Sequence, residues 1–379
     1  MTSSPAEGSL HVRFAVEQGR FSRVSITNDR PLRASAVLAG RPAADLPRLV
    51  SQLFSVCRIA QGVASLGAVE QALCIAVDPV QQMARDALMT GEMLIDHATR
   101  ACLDWTGMTG QPPAIAPLRR IRRALADLPS VLFPDGDWTR PGGGRLCPDM
   151  SVLGPRLAEA VEAFGDILPA DPGAMTPPPG DPGLAGCLAD YIRSRELEGF
   201  GAFAVKPMPD LPSDRLMDRF EQDDGLFPER PDWDGDHPLT GPLARRWEDG
   251  AVHAVCRDHG AGLMAHLVAS TREMADGLAL LGALPDLAGL PPVEGGRKDG
   301  GLGIGVVEAV RGRLIHRVGI RDGVVTHLDI VAPTEWNFHP QGPLVSGLTG
   351  APSGADPLAR IRLLVSALDP CVAVRISPL

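Results

Sequence analysis

The sequence has no Cys-x-x-Cys pair. Its seven cysteines, Cys57, Cys74, Cys102, Cys147, Cys187, Cys256 and Cys371, are odd in number and widely spaced. That spacing argues against a disulfide framework and against a zinc ribbon, and makes a reducing cytoplasm the expected compartment. No stretch approaches the roughly 18 uninterrupted apolar residues of a membrane span. The opening residues, Met1-Thr2-Ser3-Ser4-Pro5-Ala6-Glu7, lack the basic and apolar regions of a signal peptide. Positive charge is not in excess either. The formal net charge is -10, which disfavours nucleic acid and anionic membrane as partners. Aromatic residues are scarce, at 4%, and Tyr191 is the single tyrosine. There is no internal repeat, no Ser/His/Asp arrangement and no paired-carboxylate signature.

What is present suits a soluble globular protein: 44% hydrophobic and 22% charged residues in a chain of 379. That length allows one large domain or two ordinary ones. The 42 glycines and 36 prolines imply many turns and long irregular connections. Residues 11–16 and 21–26 read as strands joined by the turn Glu17-Gln18-Gly19-Arg20, a hairpin within 1–30. Helical periodicity dominates 43–290. One helix is expected from Asp45 through Ala60, a second over 83–105, shorter ones over 117–128 and 153–168, and a long one over 252–284. Residues 169–183 and 223–238 read as loops, and 295–301 as a flexible approach to the last region. Three apolar runs, 302–310, 313–320 and 324–332, are split by Arg311-Gly312 and Arg321-Asp322-Gly323, which predicts an antiparallel meander. The segment 355–379 reads as a final helix over 357–368 followed by Asp369-Pro370-Cys371. The whole, 1–379, is expected to be a single α+β domain.

Two cysteines stand out. Asp369 and Pro370 suit a helix cap and first position, which would put Cys371 in a first turn where the macrodipole favours a thiolate. A small buried thiol near the chain end is the equal alternative. Cys57, in Leu53-Phe54-Ser55-Val56-Cys57-Arg58-Ile59, taken alone is more often a core residue than a ligand. Its neighbour Arg58 could stabilise a thiolate or reach to solvent. His253, Cys256, His259 and His266 fall near one helix face, but a mixed polar face explains them better than a metal site. Gly301-Leu302-Gly303-Ile304-Gly305 precedes a strand, which argues against a phosphate cradle.

Taken together, several segments resemble NiFe-hydrogenase large subunits. Leu38-Ala39-Gly40-Arg41-Pro42, then Cys57-Arg58-Ile59-Ala60-Gln61, is similar to that family's N-terminal ligand region, R-x-C-G-x-C-P-x-A-H. Gly241-Pro242-Leu243-Ala244-Arg245 matches a mid-chain motif. Glu308-Ala309-Val310-Arg311-Gly312 is similar to E-A-P-R-G, and Val331-Ala332-Pro333-Thr334-Glu335-Trp336-Asn337 to V-x-P-[ST]-T-W-N. Asp369-Pro370-Cys371 looks like the start of D-P-C-x-x-C-x-x-H. The matches occur in family order from about Leu38 to the C-terminus. The resemblance implies a hydrogenase-large-subunit-like fold, a mainly helical core with an N-terminal hairpin and a C-terminal meander.

The departures bear on function. Four cysteines hold nickel and iron in the family; here the first is Phe54, the third ligand position keeps Cys371, and the last cysteine is Val374. The family's histidines are Gln61 and Ser377. Phe and Val offer a metal no lone pair, so neither nickel nor hydrogen turnover is expected. Arg311, Pro333 and Thr334 keep the family positions that surround cyanide on iron, and strand pairing should bring the ends of the first and third meander strands to one edge. Accessory proteins of the HupK/HoxV type have this pattern. The resemblance implies a non-enzymatic maturation scaffold that holds or relays an Fe(CN)2CO unit on Cys57 and Cys371. The implied partners are a HypC-type assembly chaperone, its iron-building partner and the immature large subunit. Cys57 and Cys371 should then converge to within about 7 Å between Cβ atoms, beside Arg311 and Thr334. Replacing Arg311 by Met should weaken ligand retention and leave the fold intact. The competing readings are a quinone-site subunit, which would use a Tyr/His pair, and a metal-free folding chaperone for the large subunit. Glu17 is a candidate for the family's N-terminal glutamate, at a different spacing.

Overall fold

The computed structural model describes residues 8–29, 37–171, 174–222, 225–284 and 299–379. The flexible approach expected over 295–301 lies largely outside them. Strands β1 (Ser9–Glu17) and β2 (Arg20–Asn28) form the expected antiparallel hairpin. Gln18 and Gly19 have φ of 51° and 73°, the paired left-handed conformation of a two-residue turn that matches strand twist. The meander forms as well, with β3 (Gly301–Ala309), β4 (Gly312–Arg321) and β5 (Val324–Val331) in that order. Its second turn is Asp322-Gly323, again with both φ positive.

The glycines of β3 serve packing. Helix α1 (Leu46–Leu53) leads to α2 (Arg58–Leu73), which lies on the meander. A Cβ on Gly301, Gly303 or Gly305 would strike the backbone carbonyl of Ala72, Ala68 or Ala64 respectively. Two strand residues span about 6.6 Å and four helix residues about 6 Å, so Gly-x-Gly-x-Gly matches Ala-x-x-x-Ala-x-x-x-Ala in reverse. This register sets the start of α2 beside the end of β3.

α1 and α2 are not the single helix that the sequence suggests. Phe54 leaves the helix with extended φ and ψ and packs toward the cluster of Val50, Val69 and Val318. Cys57 is the N-cap of α2. The Glu92 carboxylate accepts hydrogen bonds from Ile59 N at 2.7 Å and Ala60 N at 3.0 Å, which satisfies the new helix start.

Helix α3 (Pro79–Arg100) is capped by Asp78, whose side chain accepts from Val80 N, and runs on through a π turn, Ala101–Trp105. The shorter helices α4 (Ile115–Leu125), α5 (Met150–Phe164) and α6 (Leu184–Arg193) surround it. The long helix expected over 252–284 is two, α7 (Gly250–His259) and α8 (Leu263–Gly282). Gly262 lies so close to the backbone of Glu198 and Gly199 that a Cβ would meet it at 2.5 to 2.7 Å, and the chain bends there. The loop at 225–238 is acidic but not solvated throughout, since Phe227 and Trp233 pack with Trp336. Helix α9 (Pro333–Asn337) follows β5, and α10 (Pro357–Leu368) precedes the C-terminal segment.

The helix expected to begin at Cys371 does not form. Asp369 instead ends α10 in the left-handed conformation, with φ of 48°. The alternating Ala373-Val374-Arg375-Ile376 forms β6 (Ala373–Pro378), which pairs parallel with β1 in the order β2-β1-β6. Among the described residues no helix is long and apolar enough to cross a membrane.

Candidate functional site: two thiols around a buried arginine

The two-residue turn Val310-Arg311 joins β3 to β4. It is fixed by Arg245 of the Gly241-Pro242-Leu243-Ala244-Arg245 motif. Arg245 donates to both oxygens of Glu273, to Glu308 at 3.0 Å, and to the carbonyls of Ala309 and Val310, each at 2.9 Å. Asn337 ties the other motif in, accepting from Thr240 N and donating to Thr240 O. The hydrogenase-like motifs therefore brace one another around Arg311.

Arg311 is no exposed turn residue; its side chain is 11% exposed. Its Nη1 donates to Asp96 Oδ2 at 3.0 Å. Nε lies 3.3 Å from Asp369 Oδ2, yet the geometry is not that of a hydrogen bond, so among the described residues this buried N–H has no hydrogen-bond acceptor. Asp369 Oδ2 also lies 3.5 Å from Arg100 Nη1. The surrounding carboxylates and both cysteines favour the charged guanidinium and hold its pKa above the usual arginine range, against the effect of burial.

Cys57 interacts electrostatically with this guanidinium. Burial pushes its thiol up to about 12; Cys371 and Glu92 push the same way, while Arg311 and Gln61 oppose them. At neutral pH Cys57 is a thiol. Arg58 does not stabilise it: that side chain is exposed and lines the mouth of a neighbouring cleft. Gln61, at a family histidine position, donates through Nε2 to Cys57 Sγ at 3.7 Å and accepts from His316 Nε2 at 2.8 Å. The sulfur is thus oriented through an amide.

Cys371 is held by Thr334. The Thr334 hydroxyl accepts from Cys371 N at 3.2 Å and lies 3.1 Å from Cys371 Sγ. The hydroxyl has a second lone pair and one proton, so it can either donate to the sulfur or accept from the thiol. Thr334 is 2% exposed, so it meets the site through Cys371 and does not line an open pocket as the sequence suggests. Pro333, buried at the first position of α9, sets where that hydroxyl lies. Neither cysteine is in a disulfide.

Sequence reasoning missed the acidic frame. Glu92, Asp96 and Arg100 lie four residues apart on α3, with Asp104 in the π turn that follows. That spacing is visible in the sequence, but only the fold turns it toward the cysteines. Glu92 is raised to about 7 by burial, against its two backbone hydrogen bonds; Asp96 is raised by burial and drawn back chiefly by Arg311. The vacated ligand positions are packed with carbon: Phe54 joins the α1–α2 cluster and Val374 the main core, while Ser377 is exposed on β6. Glu17 is exposed at the hairpin tip. His253, Cys256 and His259 lie on α7 and His266 on α8. Among the described residues there is no group of three or more His, Cys, Asp or Glu side chains arranged to hold a metal ion.

The fold is that of a NiFe-type hydrogenase large subunit. The NiFeSe hydrogenase of D. vulgaris Hildenborough superposes with a TM-score of 0.67, at 17% identity, covering 94% of this chain and 95% of that one. The family model described as nickel-dependent hydrogenase matches residues 294–376. Full-length similarity runs to a narrower group. The hydrogenase expression/formation protein HupK of Rhizobium leguminosarum bv. viciae is 29% identical over 100% of this chain and 98% of its own length. HupK of Bradyrhizobium diazoefficiens is 30% identical over 89% and 87%. The chain belongs to the HupK/HoxV family of hydrogenase expression/formation proteins.

Proposed function

We propose that this protein acts in hydrogenase maturation as a non-catalytic scaffold that holds an iron–dicyanide–carbonyl unit, Fe(CN)2CO, as cargo. The observation that carries this reading is the buried Arg311 Nε–H, without a hydrogen-bond acceptor among the described residues, set in the electrostatic neighbourhood of both Cys57 and Cys371. A cyanide nitrogen is an anionic acceptor of the kind such a donor lacks. Two protein thiolates suit an iron that already carries three ligands, whereas a bare ion would need a fuller protein set. Thr334 holds the Cys371 sulfur by hydrogen bonding, and Gln61 holds that of Cys57. Because Cys57 is a thiol at neutral pH, loading must release its proton, and retention weakens as pH falls. The donors and recipients of this cargo are a HypC-type chaperone with its iron-building partner, and the immature large subunit.

The test is infrared spectroscopy of protein purified from its own host. Bound cyanide and carbon monoxide bands are expected, without stoichiometric nickel and without hydrogen-dependent dye reduction. Cys57→Ala and Cys371→Ala should each abolish the bands. Full iron occupancy in both single variants would overturn the proposal.

A further inference from the structure

The protein carries a net charge of -10, yet the cleft beside Cys57 opens between two arginines without acidic partners. Arg58 stands at the start of α2 and Arg122 in the last turn of α4; both are exposed. Among the described residues neither forms an ion pair, and Arg122 donates only to Thr99 Oγ1, at 3.3 Å. Deeper in the same cleft Asp96 and Asp369 flank Arg311, Asp369 also faces Arg100, and Glu92 caps α2, while Asp104 lines the cleft without an ion pair among the described residues. The floor between is aliphatic, from Leu88, Ile95, Leu103, Leu125 and Leu128. Val56, which also lines the cleft, is 39% exposed.

The cleft, about 510 Å³ in volume, is one segment of a longer trough. Ser55 and Arg58 are shared with a second cleft of about 530 Å³ that reaches Arg48 and Trp138. Leu103, Asp104 and Asp369 are shared with a third of about 690 Å³ that reaches Pro370, Val374 and Ile376 on the Cys371 side. Each segment alone is the size of a small-molecule site. Three in series, lined by Val56 and Arg58 on either side of Cys57 in the chain and by Pro370 next to Cys371, suit the length of a polypeptide. A chain lying there would meet apolar floor along its course and two uncompensated guanidinium groups at the mouth, which favour carboxylates.

From this geometry we infer that the trough receives an extended arm of a partner protein, with acidic residues interspersed among apolar ones, that brings or removes the iron unit. The identity of the cargo rests on the scaffold reading; the chemistry of the trough does not.

The experiment uses the full-length, metal-free protein and a fluorescein-labelled peptide of alternating glutamate and leucine, read by fluorescence polarisation. A matched peptide of lysine and leucine is the control. The wild type should bind the glutamate peptide and not the lysine peptide. Arg58→Glu combined with Arg122→Glu should weaken the glutamate peptide at least about tenfold and admit the lysine peptide, with the melting temperature unchanged because both side chains are exposed. Equal binding of both peptides by the wild type, or affinity unchanged in the double variant, would sink the proposal. Displacement of the glutamate peptide by millimolar inorganic phosphate, with phosphate binding dependent on Arg58, would show a small-anion site instead and also overturn it. Each of these failures would leave the infrared test on Cys57 and Cys371 untouched. Loss of the infrared bands in the scaffold test would in turn leave peptide binding intact.

Discussion

Replacing Arg311 by Met is the most revealing perturbation, because the structure changes what it should do. From the sequence the substitution removes a ligand-facing donor and spares the fold. In the structure it removes the cation between Asp96 and Asp369. Asp369 keeps Arg100, but Asp96 keeps no other ion pair among the described residues. Breaking a buried pair by deleting one partner costs roughly 3 to 5 kcal/mol. The three side chains retain 11 to 18% exposure, so the low end applies, about 3 kcal/mol at neutral pH. With an unfolding entropy of about 2.1 cal/mol/K per residue, that corresponds to a loss of roughly 4 °C in melting temperature. The pH dependence has a definite sign. Burial already raises the Asp96 carboxyl, and Arg311 is its largest counterweight; without it the folded pKa rises further above the unfolded 3.8. The unfolded chain then ionises at a pH where the folded one does not. Stability is therefore lost as pH rises through that window and recovered as pH falls. Urea denaturation at pH 8 and pH 5 should show a deficit relative to wild type that shrinks at the lower pH. Asp96→Asn added to Arg311→Met should restore most of the stability and none of the iron–cyanide bands. An Arg311→Met protein as stable as wild type at pH 8, or an absence of rescue by Asp96→Asn, would refute the reasoning.

Three further outcomes are expected. Gly305→Ala drives a methyl into the Ala64 carbonyl and to 2.7 Å from Ala68 N, and should cost about 2 kcal/mol or more in urea denaturation. Gly107→Ala, in a short helix with nothing within 4 Å, should instead be neutral or stabilising by about 0.5 kcal/mol. His316 is fully buried, and burial lowers its pKa from 6.5 to about 3. Its folded pKa lies below its unfolded one, so its contribution is complete above 6.5 and is lost as pH falls toward 3, at about 1.4 kcal/mol per pH unit. His316→Gln should flatten the decline in stability between pH 6 and pH 4 by about one proton's worth, and an unchanged slope would show that other groups set the acid limb.

The sequence by itself determined the elements whose cause is local. Gln18-Gly19 and Asp322-Gly323 specify two-residue turns because both positions need positive φ, and the hairpin and meander follow from them. It also placed Cys57, Arg311, Thr334 and Cys371 in motifs whose order marks the family. Only the tertiary structure decided the rest. The periodicity of residues 46–60 supports one helix, and the break at Cys57 comes from two distant facts, the docking of Phe54 with Val318 and the Glu92 carboxylate on the α2 amides. Asp369 reads locally as the start of a helix, yet it ends one, because the free edge of β1 takes the last residues as a strand. Glu92, Asp96 and Arg100 look like any charged stripe on a helix. They become the frame of a site because Gly303 and Gly305 fit under Ala68 and Ala64, a long-range match of spacing that carries the start of α2 to the turn holding Arg311.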